Sequence, residues 1–514
     1  MARVVARAVV VDRAGLEPWL RPRTDLLVEE DVGDGVFREL DGPFERYERR
    51  VETEPIGTEP GAGEGGYRVT QTVEFRLALP YFRFLFTPPV RAALGRPGGE
   101  RAPWWAPPEH LDTGAANALG TLAVLAVAFG YLNTLFTQTI PFAGEEFGAG
   151  NSAQGVAGSL VRVGGLLALV IVAAADRRGR RQVILGTATA GCVLAVTGAL
   201  APSLGWLTAS QMLARAFASA LLVLVAIVAA EEMPAGSRAY AVSLLAMAGG
   251  LGAGVCVTAL NLADLGPRGW RLLYVLPVLA LPAVVGTRHH LRESRRYLAP
   301  HPRVAIAGHG RRLLLLGVSA LLVNLFVAPY SQFSNRFLRT DLGFSGGRIG
   351  LFSVVVGTPA AIGIVAGGRI ADVKGRRIVA AVALVGGTAC TLAFFYSGAG
   401  WPLWVWATVG GVLSAGSIPA LGVYGPELFP TGLRGKANGL VALTALVGSA
   451  IGLTGAGVMS DHFGSIAPAM AVLAAGPMAL AVLVLVAYPE TARRPLEDLN
   501  PEDRPLPDPP TPIL

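Results

Sequence analysis

The feature that most constrains this chain is a series of apolar runs, each about as long as a bilayer is thick. They lie near residues 116–140, 152–174, 182–201, 206–230, 240–262 and 270–287. After a basic gap, six more lie near 312–332, 348–371, 378–398, 402–424, 437–459 and 466–488. A helix needs roughly 20 such residues to cross the hydrocarbon core. The runs therefore predict twelve spans in two sets of six. Hydrophobic residues make up 52% and charged residues 15% of the 514, whereas a soluble domain carries roughly 25% charged residues. That balance excludes an ordinary soluble enzyme and intrinsic disorder alike.

The loops between the runs differ in charge. One side carries Arg177, Arg178, Arg180 and Arg181, then Arg238, Arg288, Lys374, Arg376, Arg377, Arg434, Lys436, Arg493 and Arg494. The other carries Glu145, Glu146, Asp264, Asp341 and Asp461. The positive-inside rule places the basic side in the cytoplasm. Both termini are then expected there, with the chain multi-pass in the plasma or inner membrane. The net charge of +7 is topogenic on this reading, so no nucleic-acid partner is expected. Arg3, Arg7, Asp12 and Arg13 interrupt the first residues, and no signal peptide is expected. Cys192, Cys256 and Cys390 each lie inside an apolar stretch, so neither a disulfide framework nor a metal site is expected. No cofactor is implied.

Residues 1–112 hold no spanning-length run and are expected to form a small cytoplasmic α+β region. Regions 3–12, 25–40, 44–54 and 67–79 read as holding short strands; Val69 to Arg76 alternates with period two. Gly57 to Gly66 reads as a hairpin loop. Tyr81 to Leu94 suits an interfacial helix, which Pro88 and Pro89 are expected to break. Trp104 and Trp105 read as headgroup anchors in a linker. The remaining divisions are a six-span half (113–288), a basic central loop (289–311), a second half (312–488) and a Pro-rich cytoplasmic tail (489–514).

The halves repeat. Asp176-Arg-Arg-Gly-Arg-Arg181 follows the second run, and Asp372-Val-Lys-Gly-Arg-Arg377 follows the eighth, 196 residues later. Glu231, Pro234 and Arg238 recur as Glu427, Pro430 and Arg434, again 196 residues on. Glu293-Ser294 and Glu490-Thr491 stand 197 apart. Parallel six-span repeats are one way in which secondary transporters build two halves around a central site.

These residues carry a resemblance. Over 115–495 the chain resembles the major facilitator superfamily. Gly368 with Asp372 to Arg377 is similar to the family's G-x-x-x-D-R-x-G-R-R loop, with Val373 in place of its first arginine and, in the other copy, Val172 in place of glycine. Glu427 to Arg434 and Pro489-Glu490-Thr491 are similar to the sugar-porter and metabolite-symporter branches. The resemblance implies twelve helices in two six-helix halves. It also implies a cytoplasmic gate in which Asp176, Arg180, Arg181, Glu231, Arg238, Asp372, Arg376, Arg377, Glu427 and Arg434 pair in one state and part in the other. The bland reading of the same charges is topology alone. The end of the N-terminal region also resembles the end of a helix-grip domain.

Arg162 and Arg215 fall near mid-span, where an isolated arginine must face a wet cavity or a partner. They suit an anionic or polyhydroxylated ligand, or else bond neighbouring carbonyls or snorkel. The family's usual fourth-span arginine sits about one turn earlier, at Gln211. Asn133, Gln138, Asn324 and Gln332 are further candidate substrate contacts, or helix–helix glue. No carboxylate lies mid-span, so a proton relay is not evident and coupling stays open. Gly250-Leu-Gly-Ala-Gly254, Gly363, Gly367, Gly448 and Gly452 read as helix-packing glycines. With no G-x-S-x-G, P-loop or H-E-x-x-H, the chain does not read as an enzyme. The expected function is secondary transport of a sugar or small organic metabolite by alternating access. Drug-like efflux, or a transporter-like sensor signalling through residues 1–112, is the alternative. The expected partners are a small-molecule substrate and membrane lipids, and a monomer is expected.

Overall fold

A chain crossing hydrocarbon must satisfy its backbone internally, which leaves helices as the form for runs rich in Leu, Val, Ala and Gly. The computed structural model describes residues 3–56, 66–99, 102–289 and 309–490, apart from 104, 108, 169, 173–178, 235, 236, 423, 425–427 and 430–433. It is an all-α membrane body behind a small α+β region. Eleven helices are long and apolar enough to cross a membrane among the described residues, and Arg271–Gly286 is a shorter apolar one in the sixth position.

The N-terminal region contains β1 (Arg3–Val11), α1 (Arg13–Leu20), β2 (Val28–Gly33), β3 (Val36–Asp41), β4 (Phe44–Pro55), β5 (Tyr67–Leu77) and α2 (Arg83–Leu94). The strands form one antiparallel sheet in the order β1-β5-β4-β3-β2. Along β5, Val69, Gln71, Val73, Phe75 and Leu77 are buried, the period-two pattern of a half-buried strand. The sheet packs Phe44, Tyr47, Val73, Phe75 and Leu77 against Val90 and Leu94 of α2. A fully buried ion pair, Arg49–Glu29, also takes a bond from the Tyr47 hydroxyl, so the carboxylate is well satisfied. Helix α1 was not expected; the Asp12 side chain caps it by accepting from the Gly15 N–H at 2.7 Å. The expected break at Pro88 and Pro89 does not occur. The carbonyls that lose donors to the two prolines belong to Phe84 and Leu85, which are exposed, so α2 runs on through both. The Gly57 to Gly66 loop lies outside the described residues except for Gly66.

The spans are α3 (Thr113–Phe147), α4 (Asn151–Val163, continuing to Val172 past a 3₁₀ turn), α5 (Arg180–Val196), α6 (Leu204–Glu232), α7 (Arg238–Thr258) and the pair α8 (Arg271–Val275) and α9 (Pro277–Gly286). The second set is α10 (Gly310–Arg336), α11 (Gly346–Gly357) with α12 (Ala360–Lys374), α13 (Arg376–Phe395), α14 (Trp401–Gly422), α15 (Arg434–Phe463), and α16 (Ile466–Leu473) with α17 (Ala475–Ala487). Small residues let backbones meet. A methyl group on Gly252 would overlap the Val127 carbonyl where α7 crosses α3, and one on Gly448 would overlap Leu321 where α15 crosses α10. Gly250 and Gly254 have open space instead. The three cysteines are buried and free.

The sheet region sits on the first set of spans. Thr113 donates to the Phe44 carbonyl (3.1 Å), Ser237 to Glu109 (2.7 Å) and the Tyr240 hydroxyl to Trp105 (3.1 Å). Trp105 is half-buried in this junction, and Trp104 lies outside the described residues.

Candidate functional site

Two arginines enter the membrane body from the first half. Arg215, on α6, donates to the Asn133 carbonyl of α3 at 2.7 Å. Arg162, at the end of α4, donates to the Ser331 hydroxyl of α10 at 2.8 Å and so joins the two halves. Neither guanidinium forms an ion pair among the described residues. A guanidinium has five N–H donors in a rigid fork. Most of those donors therefore lack a protein partner among the described residues. A pair of unneutralised cations in a low-dielectric body attracts an anion or a dense set of hydroxyls.

The other candidates separate into three places. Asn133 lines a cavity of about 380 Å³ with Phe129, Thr134 and Leu222. Asn324 lines another of about 410 Å³ with Tyr330, Thr388 and Ser414, and its side-chain oxygen accepts from Ser449 at 3.2 Å. Gln138 and Gln332 instead hold the halves together: Asn335 donates to Gln138 at 2.6 Å, and Gln332 donates to the Gln154 carbonyl at 2.8 Å. Gln211 is buried between α5 and α6, its amide on the Ala195 carbonyl at 3.3 Å and over Gly198, away from both cavities. Arg215 is thus brought to Asn133 and Arg162 to Ser331, while Gln138, Gln332 and Gln211 sit in helix contacts. Tyr330 meets Phe394 and Phe395 edge-on at 6.2 Å, giving the second half an aromatic wall.

On the acidic side the halves are clamped twice. Asp461, near the end of α15, accepts from the backbone N–H groups of Asn151 (3.0 Å) and Ser152 (2.8 Å) at the start of α4. Asp264, after α7, accepts from Gly346 (2.6 Å) and Gly347 (2.8 Å) at the start of α11. A carboxylate at a helix N-terminus meets free N–H groups and the positive end of the dipole. Arg339 adds a cross-half ion pair to Glu145 at 3.1 Å. Beneath the clamps the backbones touch symmetrically: Gly155 lies on the Leu453 carbonyl and Gly350 on the Val257 carbonyl.

Residues 313–512 match the sequence model of the Major Facilitator Superfamily. The membrane body has that superfamily's fold. A bacterial homologue of the human lysosomal transporter Spinster, solved in an inward-facing and unoccupied conformation, superposes with a TM-score of 0.60 at 16% identity, over 77% of this chain and 99% of its own. The xylose transporter XylE from E. coli, in an inward-open conformation, gives 0.61 at 17%, over 75% and 98%. The nucleoside transporter NupG gives 0.62 at 12%, over 73% and 100%. No curated protein matches the chain. The resemblance read from the loop motifs is borne out.

The superfamily's loop motifs fall partly outside the described residues. Asp176 and Glu427 lie outside them altogether, as do the side chains of Arg180, Glu231, Arg238, Asp372 and Arg434. What is visible is local. Arg181 donates to the Arg288 carbonyl at 2.6 Å. The carboxylate of Glu490 accepts from the backbone N–H groups of Arg376 (3.1 Å) and Arg377 (3.3 Å), capping α13. In the sequence, Asp264 and Asp461 read only as loop charges. The signal that could have found them is the repeat itself, since they stand 197 apart and their targets, Asn151 and Gly346, stand 195 apart.

Proposed function

We propose that the chain is a secondary transporter that moves a small, polyhydroxylated or anionic solute across the plasma or inner membrane by alternating access. A sugar or small organic acid fits. The observation that carries this reading is the pair Arg162 and Arg215, half-buried inside the membrane body without a carboxylate partner among the described residues. A ligand bearing hydroxyls or a carboxylate supplies the acceptors their forks lack. The acidic side, clamped at Asp461 and Asp264, is the outer side, and the state is outer-closed. The inward-facing states of the Spinster homologue and XylE support that assignment. Residues 113–288 and 312–488 are the two rocking halves, and both termini lie in the cytoplasm. The basic-side motifs, with Asp372 and Glu427 at their centre, form the opposite gate in the alternate state.

The test is binding followed by flux. Purified chain should be stabilised against heat by sugars or organic acids and not by organic cations. Proteoliposomes should then take up the stabilising solute. Stabilisation by cations equal to that by neutral or anionic solutes would overturn the charge argument. Asp372→Asn should slow uptake at equal expression, and unchanged flux in Asp372→Asn and Glu427→Gln alike would remove the inner gate.

A further inference from the structure

Helix α2 has three distinct faces. Thr87, Val90 and Leu94 are buried toward the sheet. Phe82, Leu85, Phe86 and Pro89 recur at i, i+3, i+4 and i+7, one stripe of a helix. That stripe faces α3 and α7 across a cavity of about 900 Å³. The third face, which begins at the edge of that stripe with Leu85 (57% exposed), is exposed and still apolar: Phe84 is 74% exposed, with Pro88 and Ala92 beside it. Arg91 is exposed on the same face.

The cavity walls are Leu119 and Ala123 of α3 and Leu244 to Leu251 of α7, closed by Trp105 and Tyr240. The Tyr240 hydroxyl already donates to the Trp105 carbonyl at 3.1 Å. The lining thus offers a polar solute little to bind, and water has too few partners to fill it. At its edge, Met247 (70% exposed) and Leu251 (55%) carry the apolar surface onto the outside of α7, which is a membrane span. The cavity is therefore continuous with the surface that lipid wets. It lies within the first few turns of α3 and α7 from the basic side, at the depth of one leaflet.

We propose that this cavity is a binding site for an acyl chain of an anionic phospholipid from the leaflet on the basic side. In this arrangement α2 lies in the interface, with Phe84 and Leu85 among the chains and Arg91 at the phosphate. Arg83 does not compete for the headgroup, because it is held by Glu45 (2.9 Å) and the Leu77 carbonyl. The site would tie the sheet region to the bilayer through the first half alone. The inference rests on the membrane placement of the spans and not on the proposed substrate.

The test uses the full chain in detergent with added lipid. Native mass spectrometry should show one phosphatidylglycerol retained at least about fivefold more tightly than phosphatidylcholine, a preference of about 1 kcal/mol. Arg91→Gln should remove the preference while a chain is still retained. Leu244→Trp, which fills the cavity, should lose the retained lipid. Retention unchanged in a folded Leu244→Trp protein would overturn the site. Should that variant fail to fold, wild-type protein titrated with phosphatidylglycerol brominated on its chains should show saturable tryptophan quenching that is lost in Trp105→Phe. Quenching that is absent, non-saturable or unaltered by Trp105→Phe would also overturn it. So would a lipid-free dimer joined through α2, which would mean that a second copy covers the groove.

Discussion

The two halves of the membrane body are alike where they touch each other and unlike where a solute would sit. Gly252 and Gly448, 196 residues apart, each seat one helix on a neighbour's carbonyl. Gly155 on Leu453 and Gly350 on Val257 are the same contact made twice, once in each direction. The Asp461 and Asp264 clamps repeat in the same way. The second and eighth spans even break at matching places, at Gly164–Leu166 and between Gly357 and Ala360. By contrast, the positions 196 after Asn133, Arg162 and Arg215 hold Pro329, Thr358 and Gly411. On the proposed alternating-access cycle, two bodies that rock about a pseudo-two-fold axis need the same interface on both sides of it. A small solute has no such symmetry, so its contacts need not repeat. The unrepeated polar groups are therefore the place to look for cargo, and the repeated ones the place to look for motion.

The sharpest way to break this contrast is at Arg215. Arg215→Ala should weaken solute binding by roughly 10–100-fold, the range for a hydrogen bond to a charged group. The fold should survive, because the bond lost is one to the Asn133 carbonyl, which stays within α3. Arg215→Lys should restore part of the binding, since an ammonium keeps the charge and loses the planar fork. Thermal-shift titration with the solute found in the screen reads both. Equal affinity in wild type and Arg215→Ala would place the cargo elsewhere.

The repeated residues should behave differently. On the proposed alternating-access cycle, Asp461→Ala and Asp264→Ala should leave affinity in the clamped state unchanged and shift the population toward one open on the acidic side, by about tenfold each if each clamp is worth ~1–2 kcal/mol. Spin labels across the acidic-side ends of α4 and α15 would report the shift as a longer distance. Because the clamps are equivalent, the two single variants should match within about a factor of three, and the double variant should exceed either one. A large effect from one and none from the other would show that the symmetry of the gate is only geometric.

Much of this contrast could be read in the sequence. Arg162 and Arg215 stand out because a charge inside an apolar run has no inexpensive explanation. The repeat of Asp176 in Asp372 announces two halves. The clamps were hidden for the opposite reason. An acid in a loop looks the same whether it faces water or caps a helix, and only the fold brings Asp461 to Asn151 across 310 residues. Gln138 and Gln332 show the converse limit, since a polar residue in a span reads alike whether it meets a solute or the other half. In the N-terminal region the alternation of β5 was legible, whereas α2 runs through a proline pair that local rules would stop at.

The smallest expected effect tests a further difference between the halves, the sheet carried on the first one alone. Glu39, near the end of β3 beside the turn to β4, accepts from the Phe44 N–H at 3.0 Å. Burial pushes its carboxyl up to about 7, with the Phe44 bond working against the shift and Asp41 adding to it. An acid whose folded pKa lies above its unfolded value costs the fold nothing while protonated in both states. The cost grows as pH rises from about 4.5 to about 7, and is complete above that. Glu39→Gln keeps an acceptor for Phe44 and removes the charge. It should therefore raise the melting temperature of the sheet region by a few degrees at pH 8 and leave it unchanged at pH 4, with solvent contact limiting the gain. The turn touches the membrane body through Thr113, which donates to Phe44, so any change should pass to the first half only. Calorimetry of the full chain, with hydrogen exchange to assign each transition, reads the outcome. A pH-independent gain, or a gain that extends to α10–α17, would show that Glu39 acts through packing and not through its charge.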